Sequence, residues 1–207
     1  MVKEVLVVKR KTLFKEKAFQ GFIEMNDNFL DLIMDNCEYQ LRNEDLEINP
    51  DFKQIIPYVV IVNPQTKQIF GYKRFKKMAG IHEMRLHDKF SFGVGGHIDR
   101  EEEVEDVIFD ALMRELREEV KMEEYPVPNL IGFVNDDSTE VGEVHLGIIA
   151  IAETLGSVGK MEGDEVRDEK FYSIEEIDAL LENKEIEADS WTRIAWQAVK
   201  EYLTKLG

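Results

Sequence analysis

The sequence predicts an α/β sandwich built on a mixed sheet. Three observations favour this fold: strand-like apolar runs lie on both sides of one long amphipathic segment, that segment has helical spacing, and a further helix is predicted near the end of the chain. A sheet and helices that each carry an apolar face bury those faces best against one another.

The composition is that of a globular protein with one substantial core. The chain has 207 residues, of which 43% are hydrophobic, and shows no repeat or low-complexity tract. We therefore expect a single domain over residues 1–207, with residues 1–50 as a candidate N-terminal extension packed on it.

The strands are predicted from apolar runs and the turn residues between them. In chain order they cover residues 4–9, 55–62, 67–74, 90–94, 130–134, 144–152 and 165–172, with a polar connection at 43–51. The turn-forming segment 63–66 joins the second and third strands as a hairpin, and an acidic loop at 135–140 joins the fifth and sixth.

The helices are predicted from apolar periodicity and capping residues. A short helix covers residues 28–36, and apolar side chains recur at helical spacing from Val104 to Val120. Ser173 with Glu176 has the spacing of a capping box, so a helix should begin there. Asp189 can cap a last helix that carries an apolar stripe.

Three carboxylates share one face of the long predicted helix. Glu115, Glu118 and Glu119 stand at i, i+3 and i+4, so their side chains come within reach of a common point. Like charges held together need compensation, and a hard divalent cation with oxygen ligands supplies it, Mg²⁺ first and Mn²⁺ second. A solvated helix face is the alternative. The apolar stripe on the opposite face argues against it.

A glycine pair lies just before this helix and after the apolar run at residues 90–94. Gly95 and Gly96 thus belong to a strand, loop and helix unit of the kind that places backbone groups beside phosphates.

Together these residues resemble the Nudix box, G-x(5)-E-x(7)-R-E-U-x-E-E-x-G-U, where U is apolar. Its R-E-U-x-E-E core is matched at every specified position by residues 114–119. The resemblance extends from residues 53–58 to 141–147 and is similar to a subgroup of predicted MutT-like phosphoesterases. It implies a Nudix-type α/β/α sandwich, in which the box glutamates and the Gly95 carbonyl bind the metal and Arg114 orients the glutamates through an ion pair.

The chain departs from this pattern at two places. The first glutamate of the box falls on Asp106, so that either Asp106 or one of Glu101, Glu102 and Glu103 takes its role. Lys121 replaces the glycine after the second glutamate pair, so the left-handed helix stop is lost.

Cleavage of a diphosphate also needs a base and phosphate-binding groups. By resemblance to MutT-like enzymes, Glu165 is the first choice of base, with Glu140 and Glu143 as alternatives. Arg74 and Arg85 are suited to a second phosphate, although structural ion pairs explain them equally well.

Further side chains near the box have structural interpretations as strong as the functional ones. His97 either contacts a phosphate or caps the loop, whereas His145 in its apolar strand is interpreted as structural. The alternating aromatic residues Tyr58, Phe70 and Tyr72 are typical of a packed core rather than of a base-stacking surface.

Three function classes remain open on the sequence. The first is a metal-dependent pyrophosphohydrolase that cleaves a nucleoside diphosphate linked to another moiety. The second is a Nudix-fold nucleotide-binding regulator with weak or no turnover, and the third is an enzyme like isopentenyl diphosphate isomerase. The intact set of glutamates favours the first. Cys37, the sole cysteine, precedes the expected catalytic sheet and counts against the third.

The charge balance bears on partners and location. A net charge of −17 argues against binding to duplex nucleic acid, while a small nucleotide-type substrate can be neutralised by metal ions and a few arginines. The N-terminus has no signal-peptide pattern, no apolar run reaches membrane-spanning length, and one cysteine forms no internal disulfide. We expect a cytoplasmic protein without a membrane partner, either monomeric or a homodimer.

Overall fold

The structure is a computed structural model that describes residues 3–15, 17–74, 89–100, 106–161, 166–183 and 185–206. In these ranges the strands are β1 (Glu4–Lys9), β2 (Gly21–Glu24), β3 (Cys37–Leu41), β4 (Phe52–Asn63), β5 (Gln68–Arg74), β6 (Phe90–Ser91), β7 (Gly93–Gly95), β8 (Val120–Met122), β9 (Asn129–Asn135), β10 (His145–Glu153), β11 (Val158–Met161) and β12 (Val166–Tyr172). The helices are α1 (Arg10–Leu13), α2 (Asp27–Asn36), α3 (Val107–Glu119), α4 (Glu140–Val144), α5 (Ile174–Glu182) and α6 (Ser190–Lys205), with a 3₁₀ turn at Leu46–Ile48.

A mixed sheet forms the centre of the molecule. Its strands follow the order β12-β5-β4-β10-β9-β2, and β1, β3, β6 and β7 pair at its margins. β4 and β10 are parallel, whereas the other pairings described in this sheet are antiparallel. A separate two-stranded sheet pairs β8 with β11. The mixed sheet predicted from the sequence is confirmed.

Helices cover both faces of this sheet and make it the middle layer of a sandwich. Along β4, Ile55, Val59 and Ile61 pack in one apolar cluster with the buried face of α3. The alternate residues Tyr58, Val60 and Val62 pack in a second cluster with α5 and α6. Because both faces are buried, β4 is a continuous apolar run rather than an alternating one.

The capping residues begin the helices where the sequence places them. Ser173 and Glu176 form the complete capping box of α5, and the Asp189 carboxylate accepts from the Thr192 amide at 2.8 Å at the start of α6. Asp106 caps α3, accepting from the Phe109 amide at 2.9 Å. Asp106 therefore marks the start of the box helix, and its role in place of the first box glutamate stays a prediction.

The N-terminal residues contribute strands to the same sheet. β1 pairs with β3 and β4, and β2 pairs with β9. Four short strands, β2, β3, β8 and β11, were not predicted. The predicted polar connection at 43–51 contains the 3₁₀ turn. The division into one domain with an N-terminal extension stays a prediction.

Candidate active site

The site begins where β7 ends against β4. Gly95 pairs with Tyr58, and a Cβ built on Gly95 would stand 2.1 Å from the carbonyl oxygen of Pro57. That oxygen belongs to the backbone and cannot turn away, so only glycine allows the two strands to approach this closely. The chain then leaves the sheet towards α3.

The next residue lies against a carboxylate of the box helix. A Cβ on Gly96 would stand 2.6 Å from Oε1 and 2.8 Å from Oε2 of Glu115. Glu115 itself is only 6% exposed. The loop at Gly95–His97, called the glycine loop below, therefore meets α3 at the buried, charged side chain of Glu115. The absence of a side chain on Gly96 leaves room for this carboxylate.

One guanidinium joins this loop to the helix. Arg114 Nη1 lies 2.8 Å from Glu115 Oε1 and donates to Glu118 Oε2 at 3.1 Å. Its Nη2 donates to the His97 carbonyl oxygen at 2.7 Å. Arg114 thus contacts two of the three box glutamates and the backbone of the loop at once, a geometry that lysine with its single ammonium cannot reproduce.

The negative charges of the box glutamates are only partly compensated by nearby cations. The pKa of Glu115 is raised to about 7, because burial together with the nearby charges of Glu119 and Glu118 outweighs the opposing charge of Arg114. Burial also raises the pKa of Glu119, against the attraction of Arg74. Near neutral pH the site favours protonation or any other added positive charge.

The donor set fits a hard divalent cation, but its oxygens are not gathered around one point. Within the described ranges, no three acidic, histidine or cysteine side chains are grouped as metal ligands. The Glu118 side chain is 59% exposed and directed to Arg114. Carboxylate and carbonyl oxygens are nevertheless the ligands that Mg²⁺ and Mn²⁺ prefer, and the buried, undercompensated Glu115 beside Gly95 and Gly96 suits such an ion.

Arg74 lies near the glutamates of the box helix. It ends β5, its Nη2 donates to the Tyr72 hydroxyl at 3.4 Å, and its charge interacts with Glu119. The Tyr72 hydroxyl in turn donates to the Gly93 carbonyl at 2.7 Å, which places Arg74 close to β7. Arg85, the other predicted phosphate ligand, lies outside the described residues.

Two histidines meet below the glycine loop. His97 Nε2 lies 2.8 Å from Gln54 Oε1 and 3.3 Å from His145 Nε2. His145 Nδ1 lies 2.6 Å from the Val141 carbonyl oxygen, and burial lowers the pKa of His145 to about 4, so its ring is neutral at neutral pH. Gln54 was missed from the sequence. The sequence signal for Gln54 was a polar residue, next to Lys53, directly before the apolar run of β4.

A second missed residue, Lys53, is a completely buried cation. Its Nζ donates to Asp137 at 2.8 Å, to the Gly142 carbonyl at 2.7 Å and to the His145 carbonyl at 3.2 Å. Burial lowers the pKa of Lys53 to about 8. Burial raises the pKa of Asp137, but hydrogen bonds from Arg10 and Lys53 outweigh that effect and lower it to about 2.

The candidate bases are described only in part. Glu140 and Glu143 are exposed on the short helix α4, in which Lys53 binds the Gly142 carbonyl and His145 binds the Val141 carbonyl. Glu165 lies outside the described residues, as do Glu101, Glu102 and Glu103, the alternatives to Asp106 for the first glutamate of the box.

The remaining candidates belong to the core or pack against it. Tyr58, Phe70 and Tyr72 are buried, as the core interpretation requires. Cys37 is half-buried with its Sγ donating to the Met34 carbonyl, and burial raises its pKa, so it is not an activated thiol. Within the described ranges, no helix combines the length and apolar content needed to cross a membrane.

Known proteins resemble the chain over most of its length. Protein YmaB of Bacillus subtilis strain 168 is 35% identical over 155 residues, covering 70% of this chain and 73% of YmaB. The crystal structure of Tm1382, provisionally assigned as a Nudix hydrolase, superposes with a TM-score of 0.76 and 25% identity over 96% of this chain and 99% of Tm1382. No family model matches the chain.

Proposed function

The chain belongs to the Nudix hydrolases, and from that premise we propose that it is a divalent-metal-dependent pyrophosphohydrolase cleaving a nucleoside diphosphate linked to another moiety. As a Nudix-type hydrolase it acts on phosphoanhydride bonds. The observation that carries the metal dependence is the buried Glu115 carboxylate, held between Arg114 and Gly96 with too little positive charge around it.

The proposed metal ligands are Glu115, Glu118 and Glu119, with the Gly95 carbonyl as a further oxygen ligand. Mg²⁺, or Mn²⁺ in its place, supplies neutralisation of the phosphate charge and polarisation of the bond to be cleaved. Glu118 would have to leave its contact with Arg114 to bind the ion, and Arg114 would keep Glu115 and the loop in place through its remaining contacts.

The protein residues position the substrate and move the proton. Arg74 and Arg85 bind the second phosphate of the diphosphate, and arginine suits this task because its planar group contacts two phosphate oxygens. Water attacks one phosphorus and forms a new P–O bond, while its proton passes to a glutamate base. The anhydride P–O bond breaks, and its electron pair leaves with the departing phosphate.

Glu165 is the proposed base, with Glu140 and Glu143 as alternatives. Both alternatives are exposed on α4 and stand ready for comparison by mutation.

The remaining proposals concern the setting of the enzyme. We propose one domain over residues 1–207 and a cytoplasmic location. We propose no duplex nucleic acid partner, because the net charge of −17 would repel the phosphate backbone. Light scattering at working concentration decides between a monomer and a homodimer.

A substrate panel tests the proposed function. Nucleoside triphosphates, ADP-ribose, dinucleoside polyphosphates and sugar nucleotides are incubated with the purified protein and Mg²⁺, Mn²⁺ or EDTA, and phosphate and nucleotide release are measured. We expect hydrolysis of at least one class that disappears with EDTA and with Glu118→Gln. Glu123→Gln, which changes an exposed acid just beyond the helix, is the control. Activity that persists in EDTA would contradict the proposal.

A further inference from the structure

The glycine loop is held on two sides. Arg114 of the box helix binds the His97 carbonyl, and Gln54 and His145 of the sheet contact the His97 side chain. We propose that His145 and Gln54 are positioning residues that set the Gly95–His97 loop for metal binding by fixing the His97 ring. The inference rests on the proposed function in one respect, namely that the task of this loop is to bind a metal. Neither residue is catalytic, because each lies buried beneath the loop.

The hydrogen-bond partners determine which ring nitrogens carry protons. The Val141 carbonyl can only accept, so His145 Nδ1 carries a proton and donates to it at 2.6 Å. The neutral ring then presents an acceptor at Nε2, which lies 3.3 Å from His97 Nε2. His97 Nε2 must therefore be the donor, shared between His145 and the Gln54 carbonyl oxygen at 2.8 Å. In this orientation the His97 ring bonds to both Gln54 and His145 through the same nitrogen.

The backbone of His97 is fixed at the same time from the opposite side. Its carbonyl oxygen accepts from Arg114 Nη2 at 2.7 Å, and Arg114 contacts Glu115 at 2.8 Å. Glu115 in turn lies against Gly96. His97 is thus the point where the box helix α3 and the strands β4 and β10 all hold the loop.

The two positioning residues are themselves rigidly placed. Gln54 on β4 and His145 on β10 are direct partners in the parallel pairing, and the two histidine rings meet edge to face at 5.3 Å. The neighbouring Lys53 donates to the His145 carbonyl at 3.2 Å, which anchors the backbone of His145 as well. The buried lysine thus contributes to the site, because its ammonium group anchors His145, which in turn fixes the His97 ring of the loop.

Two substitutions of His145 separate its two hydrogen bonds. In His145→Asn the amide occupies the place of Nδ1, so the bond to Val141 is kept and the acceptor for His97 is lost. In His145→Gln the longer side chain brings its carbonyl to the place of Nε2, so the acceptor is kept. Asp178→Asn on α5 removes the charge that pairs with Lys200 and leaves an oxygen acceptor for the Trp196 indole; because α5 packs on the other face of the sheet, this variant controls for general loosening.

Hydrogen exchange of the metal-free protein tests the positioning directly. We expect the peptide covering residues 93–98 to exchange about tenfold faster in His145→Asn than in wild type, in line with the loss of one buried hydrogen bond, and at close to the wild-type rate in His145→Gln. The Asp178→Asn control should leave this peptide unchanged. Wild-type exchange in His145→Asn, or equal acceleration in the Asn and Gln variants, overturns the proposal.

Binding of Mn²⁺, followed by electron paramagnetic resonance, links the loop to its task. His145→Asn should bind the ion about 10–100-fold more weakly, the usual cost of losing a group that orients a metal site, while His145→Gln should stay near wild type. Equal affinity of wild type and His145→Asn counts against the proposal. If the wild type binds no Mn²⁺ and cleaves no substrate, the proposed function fails, whereas the exchange experiment still decides whether His145 positions the loop.

Discussion

The Glu115 carboxylate occupies the space in which any other residue at position 96 would carry its side chain. A Cβ on Gly96 would stand 2.6 Å from Glu115 Oε1. The obstructing atoms are the end of a flexible side chain, so the fold can keep its backbone while the carboxylate moves. We therefore expect Gly96→Ala to fold with nearly wild-type stability but to bind Mn²⁺ at least about tenfold more weakly.

Gly95→Ala is the matched comparison. Its added Cβ would meet the Pro57 carbonyl oxygen at 2.1 Å, which is backbone and cannot give way. We expect a loss of about 1–3 kcal/mol in the free energy of unfolding, as for other overpacked sites. Urea denaturation together with Mn²⁺ titration measures both variants. Equal stability of the two variants, or an unchanged metal affinity in Gly96→Ala, would contradict this account.

Loss of one charged ligand should nearly abolish turnover. Glu118→Gln removes a carboxylate that stands 59% exposed at the edge of the site and is not part of the core. We expect turnover to fall by about two orders of magnitude or more, with unchanged unfolding, because the ion loses a charged ligand. Full activity at saturating Mg²⁺, measured beside the Glu123→Gln control, would remove Glu118 from the ligand set.

The pKa of Glu115 predicts how stability depends on pH in the absence of metal. Burial raises this pKa from 4.5 to about 7, so between these values the carboxyl is protonated in the folded chain and ionised in the unfolded one. The folded state then binds more protons, and stability falls as pH rises through the window and levels off above it. The loss is on the order of 3 kcal/mol at about 1.4 kcal/mol per pKa unit.

Urea denaturation of the metal-free protein from pH 4.5 to 8 measures this dependence. The comparison is made with Glu115→Gln, which cannot ionise and should lack this part of the pH dependence. Saturating Mg²⁺ should also reduce the loss, because the cation favours the ionised carboxylate. Identical pH profiles for the wild type and Glu115→Gln would refute the assigned shift.

Arg114 should matter for metal binding rather than for substrate affinity. Its guanidinium contacts Glu115, Glu118 and the His97 carbonyl, so Arg114→Ala loosens both the loop and the helix face. We expect metal affinity and kcat to fall together. Arg117→Ala, three residues along the same helix and exposed, is the control. A rise in KM alone would instead indicate direct contact with substrate.

The long periodic elements were predictable because their periodicity is a local signal. The apolar run of β4 and the caps of α5 and α6 stand where the sequence places them. By contrast, β2 and β3 are only four and five residues long and have only partly buried or exposed residues, so the alternation of Cys37, Tyr39 and Leu41 in β3 is too short to predict a strand. Their backbones find partners only once β9 and β1 are in place, and no local pattern reports such pairing.

The site likewise has a part that the sequence shows, the glutamates of one helix, and a part that only the folded chain brings together. Three glutamates on one helix are visible in the sequence because helical spacing brings them to one face. Gln54 meets His97 across 43 positions, and Lys53 meets Gly142 across 89, so no spacing rule could bring these pairs together. The direction of the Glu118 carboxylate towards Arg114 likewise depends on the folded surroundings.

The general base is the last assignment that mutation can decide. Because a divalent cation lowers the pKa of a nearby water, an ordinary glutamate is strong enough, and we expect Glu165→Gln to keep Mn²⁺ affinity while turnover falls by about 10²–10⁴-fold. Glu140→Gln and Glu143→Gln are the matched variants, since both change exposed carboxylates on α4 without altering the core. Metal affinity and turnover are measured on all three. If Glu143→Gln or Glu140→Gln loses turnover while Glu165→Gln retains it, α4 carries the base. Because α4 directly precedes His145 at the start of β10, the base then lies at the end of the sheet where the glycine loop lies.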